Sequence, residues 1–555
     1  MKKLLLLFLL IPIFVLYSYT RRSDEPKLAV FIVVDQMRYD YLERFQDHFS
    51  ENGFNYFLKK GANYTNCNYA QYNTYTAAGH AVLGTGVWAD ENGITGNYIY
   101  DRSDHSTGYC VGDTNYSSAE TLEISARDGR KSPKNITSPT LSAAIKSKNP
   151  KSKVFSVSAK DRAAVLMGAD KADAAYWYSR ENGHFITSTY YRNDLPVWAK
   201  RWNSKGKAIQ WFNTEWSYLL DNKFYDAYGP DVFASEETPD GRSNTFPHPT
   251  SYGSERPDKK YFGDLLSTPF GDILTINFAR NLILNEELGQ DNNIDFLNLS
   301  LSCTDYIGHA YGPDSQEMMD NMIRTDRLLN DFILYLDKNI GLENTAIFLS
   351  ADHGIAPFPE LMREKGIDAG RINSSKIFNE AEKAIRRQYG NPPGDQNWCG
   401  PLTNASIFMT PEFWKRTGAD SAKVQNILKE AILPVEGIET VFTRQEIIKE
   451  SSDNNPLWQY VKNAYYPSRG GDVVIIQKEY WIFNYSDDQV TGTTHGSPWW
   501  YDTHVPMLMN GPGITPGTFD QPVGPNDLIA KIAEYMKLDM NESRGVAKRD
   551  GQYTN

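Results

Sequence analysis

Three aspartates and three histidines stand where a divalent cation could be held. Asp35 closes the apolar run KLAVFIVVD, Asp305 and His309 are four apart in D-Y-I-G-H, Asp352 and His353 are adjacent in A-D-H-G, and His495 lies in the loop TGTTHGS. Carboxylates and imidazoles without a thiolate are the donor set of Zn²⁺ or a similar ion at a reactive site, not of a Cys-rich structural zinc. These six residues are enough ligands for two ions. The segment NTYTAAGHAVLGTG, residues 73–86, adds Thr74 and Thr76 ahead of a small-residue helix pattern. A hydroxyl at a helix amino terminus faces free N–H groups and the positive end of the dipole. By position alone it is a cap, and beside a metal it becomes a nucleophile. Lys160 and Arg162, two apart at the end of an extended run, can share a side and reach one anion; singly each reads as a solvated charge. His48, His105, His184, His248 and His504 fall in segments that suit solvated or hydrogen-bonded roles, and His80 sits within the threonine segment.

Four runs must position these groups: residues 27–35, 153–160, 295–305 and 344–353 read as buried strands ending in polar chemistry. Near-continuous β-branched and apolar runs separated by helical patterns require a parallel sheet covered on both faces, so the core is α/β. Ligands of such sheets bind outside the carboxyl ends of the strands, where these residues fall. Residues 315–338 predict a covering helix with Met318, Met322, Leu329, Phe332, Ile333 and Leu336 as its core stripe and Asp314 or Ser315 as its cap. Two stretches break the rhythm and read as insertions. Residues 166–255 are rich in Tyr and Trp, with a hairpin signal at Asn182-Gly183 and aromatics Tyr176, Trp177 and Tyr178 that suit packing better than the mouth of a site. Residues 361–490 hold a charged helix near 375–389 and a strand at 472–476. The core is thus expected in three parts, 23–165, 256–360 and 491–555.

At 555 residues, with 40% hydrophobic and 23% charged side chains, the chain buries a sizeable core and is neither disordered nor a polytopic membrane protein. A net charge of −12 has the wrong sign for a protein that holds nucleic acid by neutralising phosphates. Lys2 and Lys3 followed by the apolar run 4–17 read as an export signal within residues 1–22, short of a membrane span; an uncleaved amino-terminal anchor stays open. Cys67, Cys110, Cys303 and Cys399 are too scattered for a zinc knuckle, and in an oxidising compartment they allow three disulfide connectivities. Cys303, inside a strand pattern, equally suits a buried small hydrophobe.

An Asp-ended first strand, T-x-x-G-H, G-x-x-G-N, K-D-R, D-x-x-G-H, A-D-H-G and T-x-H-G occur in that order. In this the sequence resembles the alkaline phosphatase superfamily, within it the phosphate-irrepressible periplasmic phosphomonoesterases of the PafA type, over most of the chain. The resemblance implies two Zn²⁺: one on Asp305, His309 and His495, the other on Asp35, Asp352 and His353 with Thr76 as nucleophile. It makes His80 a helix residue and not a ligand, and it makes Asn97, alone an ordinary turn residue, a phosphoryl contact with Lys160 and Arg162. Two divalent ions and two basic side chains against three carboxylates and an alkoxide leave a local charge of +2, matched to a monoester dianion. The expected reaction is hydrolysis of small-molecule phosphate monoesters through a phosphothreonine, in the periplasm or outside the cell. A phosphodiesterase or nucleotide pyrophosphatase of the same superfamily is the alternative. A sulfatase is disfavoured because no C/S-x-P-x-R segment is present. An exported binding protein with a vestigial site is disfavoured because such sites lose ligands, and all are present here. Oligomeric state is not encoded in these patterns.

Overall fold

The computed structural model describes residues 25–120, 126–236, 243–251, 253–449, 455–484 and 491–541; the expected export signal lies outside them. Leu28–Val34 (β1) is buried at all seven positions, as a strand covered on both faces must be. With it, Ala62–Tyr64 (β2), Val154–Ser158 (β3), Ala174–Tyr178 (β4), Phe185–Ile186 (β5), Asp295–Leu301 (β6), Thr345–Ser350 (β7), Met507–Asn510 (β8) and Gly517–Phe519 (β9) form a nine-stranded sheet. The spatial order is β9-β2-β8-β7-β1-β6-β3-β4-β5. Strands β7, β1, β6, β3 and β4 are parallel, whereas β8 and β5 run antiparallel to their neighbours. Helices Thr76–Thr85 (α1), Asp161–Gly168 (α2), Phe270–Asn285 (α3), Cys303–Tyr311 (α4) and Gln316–Asn339 (α5) flank it. The expected α/β fold with a mostly parallel sheet is the observed one. Ser315 caps α5 by accepting from Met318 N–H, and all six apolar stripe residues of that helix are buried.

Two local expectations change. The run 295–305 stays extended only to Leu301, and α4 begins at Cys303. Asp272, on α3, accepts from Ser302 N–H at 2.8 Å and Cys303 N–H at 3.2 Å, capping α4 from another helix. Asp305 and His309 are therefore one helical turn apart on α4, where i and i+4 share a face. Cys303 opens a helix, and all four cysteines are buried and free. Residues 174–186, inside the stretch 166–255 expected as an insertion, also belong to the sheet: β4 pairs with β3, and the Asn182-Gly183 hairpin, with Gly183 at φ +75°, returns as β5. Tyr176, Trp177 and Tyr178 are core side chains.

Residues within 361–490 have a hydrophobic core of their own. It includes the helix Ser374–Tyr389 and a sheet in which Val473–Gln477 lies between Ser406–Ile407 and Ile438–Thr443. Within residues 166–255 Glu236 is buried, and among the described residues neither of its carboxylate oxygens has a hydrogen-bond partner. Burial, then the neighbouring Glu317, pushes its carboxyl up to about 9.

Candidate metal and nucleophile centre

Register sets the height of the site. Val34 pairs with Leu301, Val33 with Ser350 and Ser300 with Ser158, so the residues that follow emerge side by side at one edge of the sheet. β1 lies between β6 and β7, and neighbouring strands are about 4.8 Å apart. Asp35 thus stands between Asp305 on one side and Asp352-His353 on the other. Helix α1 joins them by close approach: a Cβ on Gly79 would lie 2.1 Å from Asp352 O, so only glycine lets Thr76 reach the strand ends.

The three imidazoles are oriented alike. His309 Nδ1 donates to Thr493 O at 2.8 Å, His495 Nδ1 to Thr74 O at 2.7 Å and His353 Nδ1 to Gly354 O at 2.9 Å. A carbonyl only accepts, so each Nδ1 carries the proton and each Nε2 lone pair is left for a cation. Those Nε2 atoms face carboxylates: His309 and His495 lie 3.3 and 3.6 Å from Asp305 Oδ1, and His353 lies 3.3 Å from Asp352 Oδ2 and 3.7 Å from Asp35 Oδ1. Ligand atoms of Asp305, His309 and His495 fall within 4.8 Å of one another, as do those of Asp35, Asp305 and His353 and of Asp35, His80 and Asp352. Among the described residues, fully buried Asp35 has no hydrogen-bond partner at Oδ1 and only the Lys160 ammonium at Oδ2, which suits a carboxylate made to bind a cation. The donors fit divalent metal.

Charge follows burial and neighbours. Burial, reinforced by Asp352 and outweighing Lys160, holds the Asp35 carboxyl well above its usual range. Burial opposes ionisation of Asp305 too, but Lys160 and His309 prevail and hold it well below. Burial pushes His353 down to about 3, leaving a neutral ring at physiological pH.

Thr76 is the first residue of α1 and is buried. Its Oγ1 is 3.4 Å from His353 Nε2 and accepts from Arg162 Nη2 at 3.3 Å. Asn97 accepts from Ala77 N–H at 3.0 Å through Oδ1, so it tends the same helix end. Its loop is gripped from residues within 361–490: Asn404 Nδ2 donates to Tyr98 O at 2.8 Å, and Arg469 Nη1 donates to Gly93 O. Lys160 and Arg162 part company, because β3 ends at Ser158 and Arg162 lies in the first turn of α2. Lys160 Nζ pairs with Asp305 and, at 2.8 Å, with Asp35 Oδ2, while Arg162 takes the threonine hydroxyl.

Asp502 and Gln36 carried no signal in the sequence, and His80 only its place in T-x-x-G-H. His80 Nδ1 is 2.9 Å from Thr76 O and 3.0 Å from Asp352 Oδ2, and its Nε2 is 2.9 Å from Ser300 Oγ, so the ring braces the site. Asp502 accepts from the N–H groups of Gly496 and Ser497, fixing the loop after His495. Gln36 is fully buried at φ +69°, a left-handed backbone that costs a side-chain-bearing residue about 1–3 kcal/mol. A Gln after a strand-terminal Asp has no compositional mark.

Among the described residues no helix is long and apolar enough to cross a membrane. The chain matches, over residues 29–498, the family described as type I phosphodiesterase / nucleotide pyrophosphatase. It is 33% identical over 524 residues to a Myroides odoratus protein named calcium-transporting ATPase, covering 94% of this chain and 93% of that one. It is 33% identical over 526 residues to alkaline phosphatase PafA of Elizabethkingia meningoseptica, with the same coverage of 94% and 93%. A crystal structure of wild-type alkaline phosphatase PafA superposes with a TM-score of 0.86 at 31% identity, over 93% of this chain and 96% of that one. Matched along nearly its whole length in sequence and in fold, the chain belongs to the phosphodiesterase/nucleotide pyrophosphatase type of the alkaline phosphatase superfamily.

Proposed function

We propose that this protein is an exported, zinc-dependent phosphomonoesterase that releases inorganic phosphate through a phosphothreonine. The observation that carries the reading is the Thr76 hydroxyl, held between His353 Nε2 and the Arg162 guanidinium at one edge of the carboxylate-imidazole cluster. Asp305, His309 and His495 would hold one Zn²⁺, and Asp35, Asp352 and His353 with Thr76 the other. Such cations supply the positive charge that lowers the pKa of a hydroxyl and neutralises a leaving oxygen. Thr76 Oγ attacks phosphorus, the ester P–O bond breaks and the alcohol departs; water then cleaves the Thr76–phosphoryl bond and restores the hydroxyl. Arg162 and the Asn97 amide N–H pair offer donors to the equatorial oxygens, where charge accumulates.

The family's description favours a second reading, diester or pyrophosphate cleavage. Arg162 beside the nucleophile, with Lys160 on the Asp35 and Asp305 carboxylates of the same cluster, suits the two charges of a monoester, and the PafA relatives support that reading. The apolar run behind Lys2 and Lys3 supports export. Measuring kcat/KM of the zinc-loaded chain on an aryl phosphate and on its bis-aryl diester tests the proposal, and faster turnover of the diester overturns it.

A further inference from the structure

We infer that Gln36 is a positioning residue that sets the rotation of two carboxylates, Asp305 and Asp352, assigned to the two different ions; this rests on the metal reading above. Its backbone N–H donates to Asp352 Oδ1 at 3.0 Å and its side-chain Nε2 donates to Asp305 Oδ1 at 2.9 Å. These carboxylates come from the chain beyond β7 and β6, on opposite sides of β1. One residue, directly after the third carboxylate Asp35, therefore ties all three strand ends together. Each bond fixes one edge of its carboxylate against the imidazoles, as outer partners of metal ligands do.

The arrangement is kept against two local costs. Gln36 has a left-handed backbone that glycine would adopt without penalty. Its Oε1 is buried with no hydrogen-bond partner among the described residues, against helix α4 at Gly308, where a Cβ would lie 1.9 Å away. Glycine at 36 would remove both costs but also the amide aimed at Asp305. A glutamine that serves only packing gains nothing from either feature, whereas a donor to Asp305 needs that reach and that clearance.

Two variants separate the roles. Gln36→Met keeps the length and the backbone cost but has no side-chain N–H to give Asp305; Gln36→Gly relieves the backbone and also lacks that side-chain donor, while both keep the backbone N–H to Asp352. The full-length proteins are loaded with Zn²⁺, assayed for bound metal, and followed as the metal transfers to a chromogenic chelator. Melting of the metal-stripped proteins is measured in parallel. We expect metal loss about 10-fold faster or more in both variants. Metal-stripped Gln36→Gly should melt no lower than the parent, a combination that a packing role would not produce. Metal content and release equal to the parent in both variants, or in Gln36→Gly alone if Gln36→Met does not fold, overturn the inference. Asp305→Asn separates the premises: if it keeps both metals, the ligand assignment has failed, and if it loses metal while the Gln36 variants do not, only the role of Gln36 has failed.

Discussion

Replacing Arg162 by alanine should damage monoester hydrolysis more than diester hydrolysis. Its Nη2 is 3.3 Å from the Thr76 oxygen, so a phosphoryl oxygen on the phosphorus under attack would come within about 4 Å of the guanidinium. At an effective dielectric constant of about 20 that separation is worth about 4 kcal/mol per unit of negative charge. The remaining cations and admitted water offset part of this, leaving a loss of about 10²–10³-fold in kcat/KM for an aryl monoester. A diester carries one charge instead of two, so its loss should be about 10-fold, and the monoester preference should shrink by at least that factor. Initial rates on matched aryl substrates, with metal content checked in each preparation, measure both. Equal losses on the two substrates, or a monoester loss under about threefold, would refute the electrostatic reasoning.

Thr76→Ala should abolish turnover while zinc content stays at the level of the parent; near-normal activity would remove threonine from the nucleophile's place. Asn404→Ala, which releases the carbonyl of Tyr98 beside Asn97, should lower kcat/KM about 10-fold with metal retained, as misplaced donors do. Glu236 has a folded-state pKa of about 9 against an ordinary 4.5, so its contribution to stability is present below 4.5 and lost as pH rises through 9. Thermal melts of Glu236→Gln should gain on the parent from pH 5 to pH 9, and parallel melting curves would count against this.

The buried strands announced themselves because LAVFIVV is apolar throughout and VFSVS and TAIFLS are apolar or small at every position, and the ligands follow because strand ends are where an α/β sheet leaves polar chains room. The join of β6 and α4 was hidden: DFLNLSLSCTD has no internal break, and the carboxylate that starts the helix, Asp272, is 30 residues away in sequence. The aromatic run 176–178 suggested an insertion because composition does not distinguish a sheet's last parallel strand from an added module. Lys160 and Arg162 share a motif but not a partner, since the turn from strand to helix between them reverses which way each can point. Gln36 was invisible for a deeper reason: its worth lies in a backbone angle and in a glycine 272 positions downstream.

The donors of this centre begin at Asp35 and end at His495, and β8, which flanks the parallel strands, is made later still. A chain leaving the ribosome owns half a cage long before it owns the other half. Pairings so remote in sequence close slowly, because loop entropy is spent before any contact repays it. Until they close, an early aspartate has no fixed partner for a cation, so the chemistry begins only once the whole polypeptide has come together.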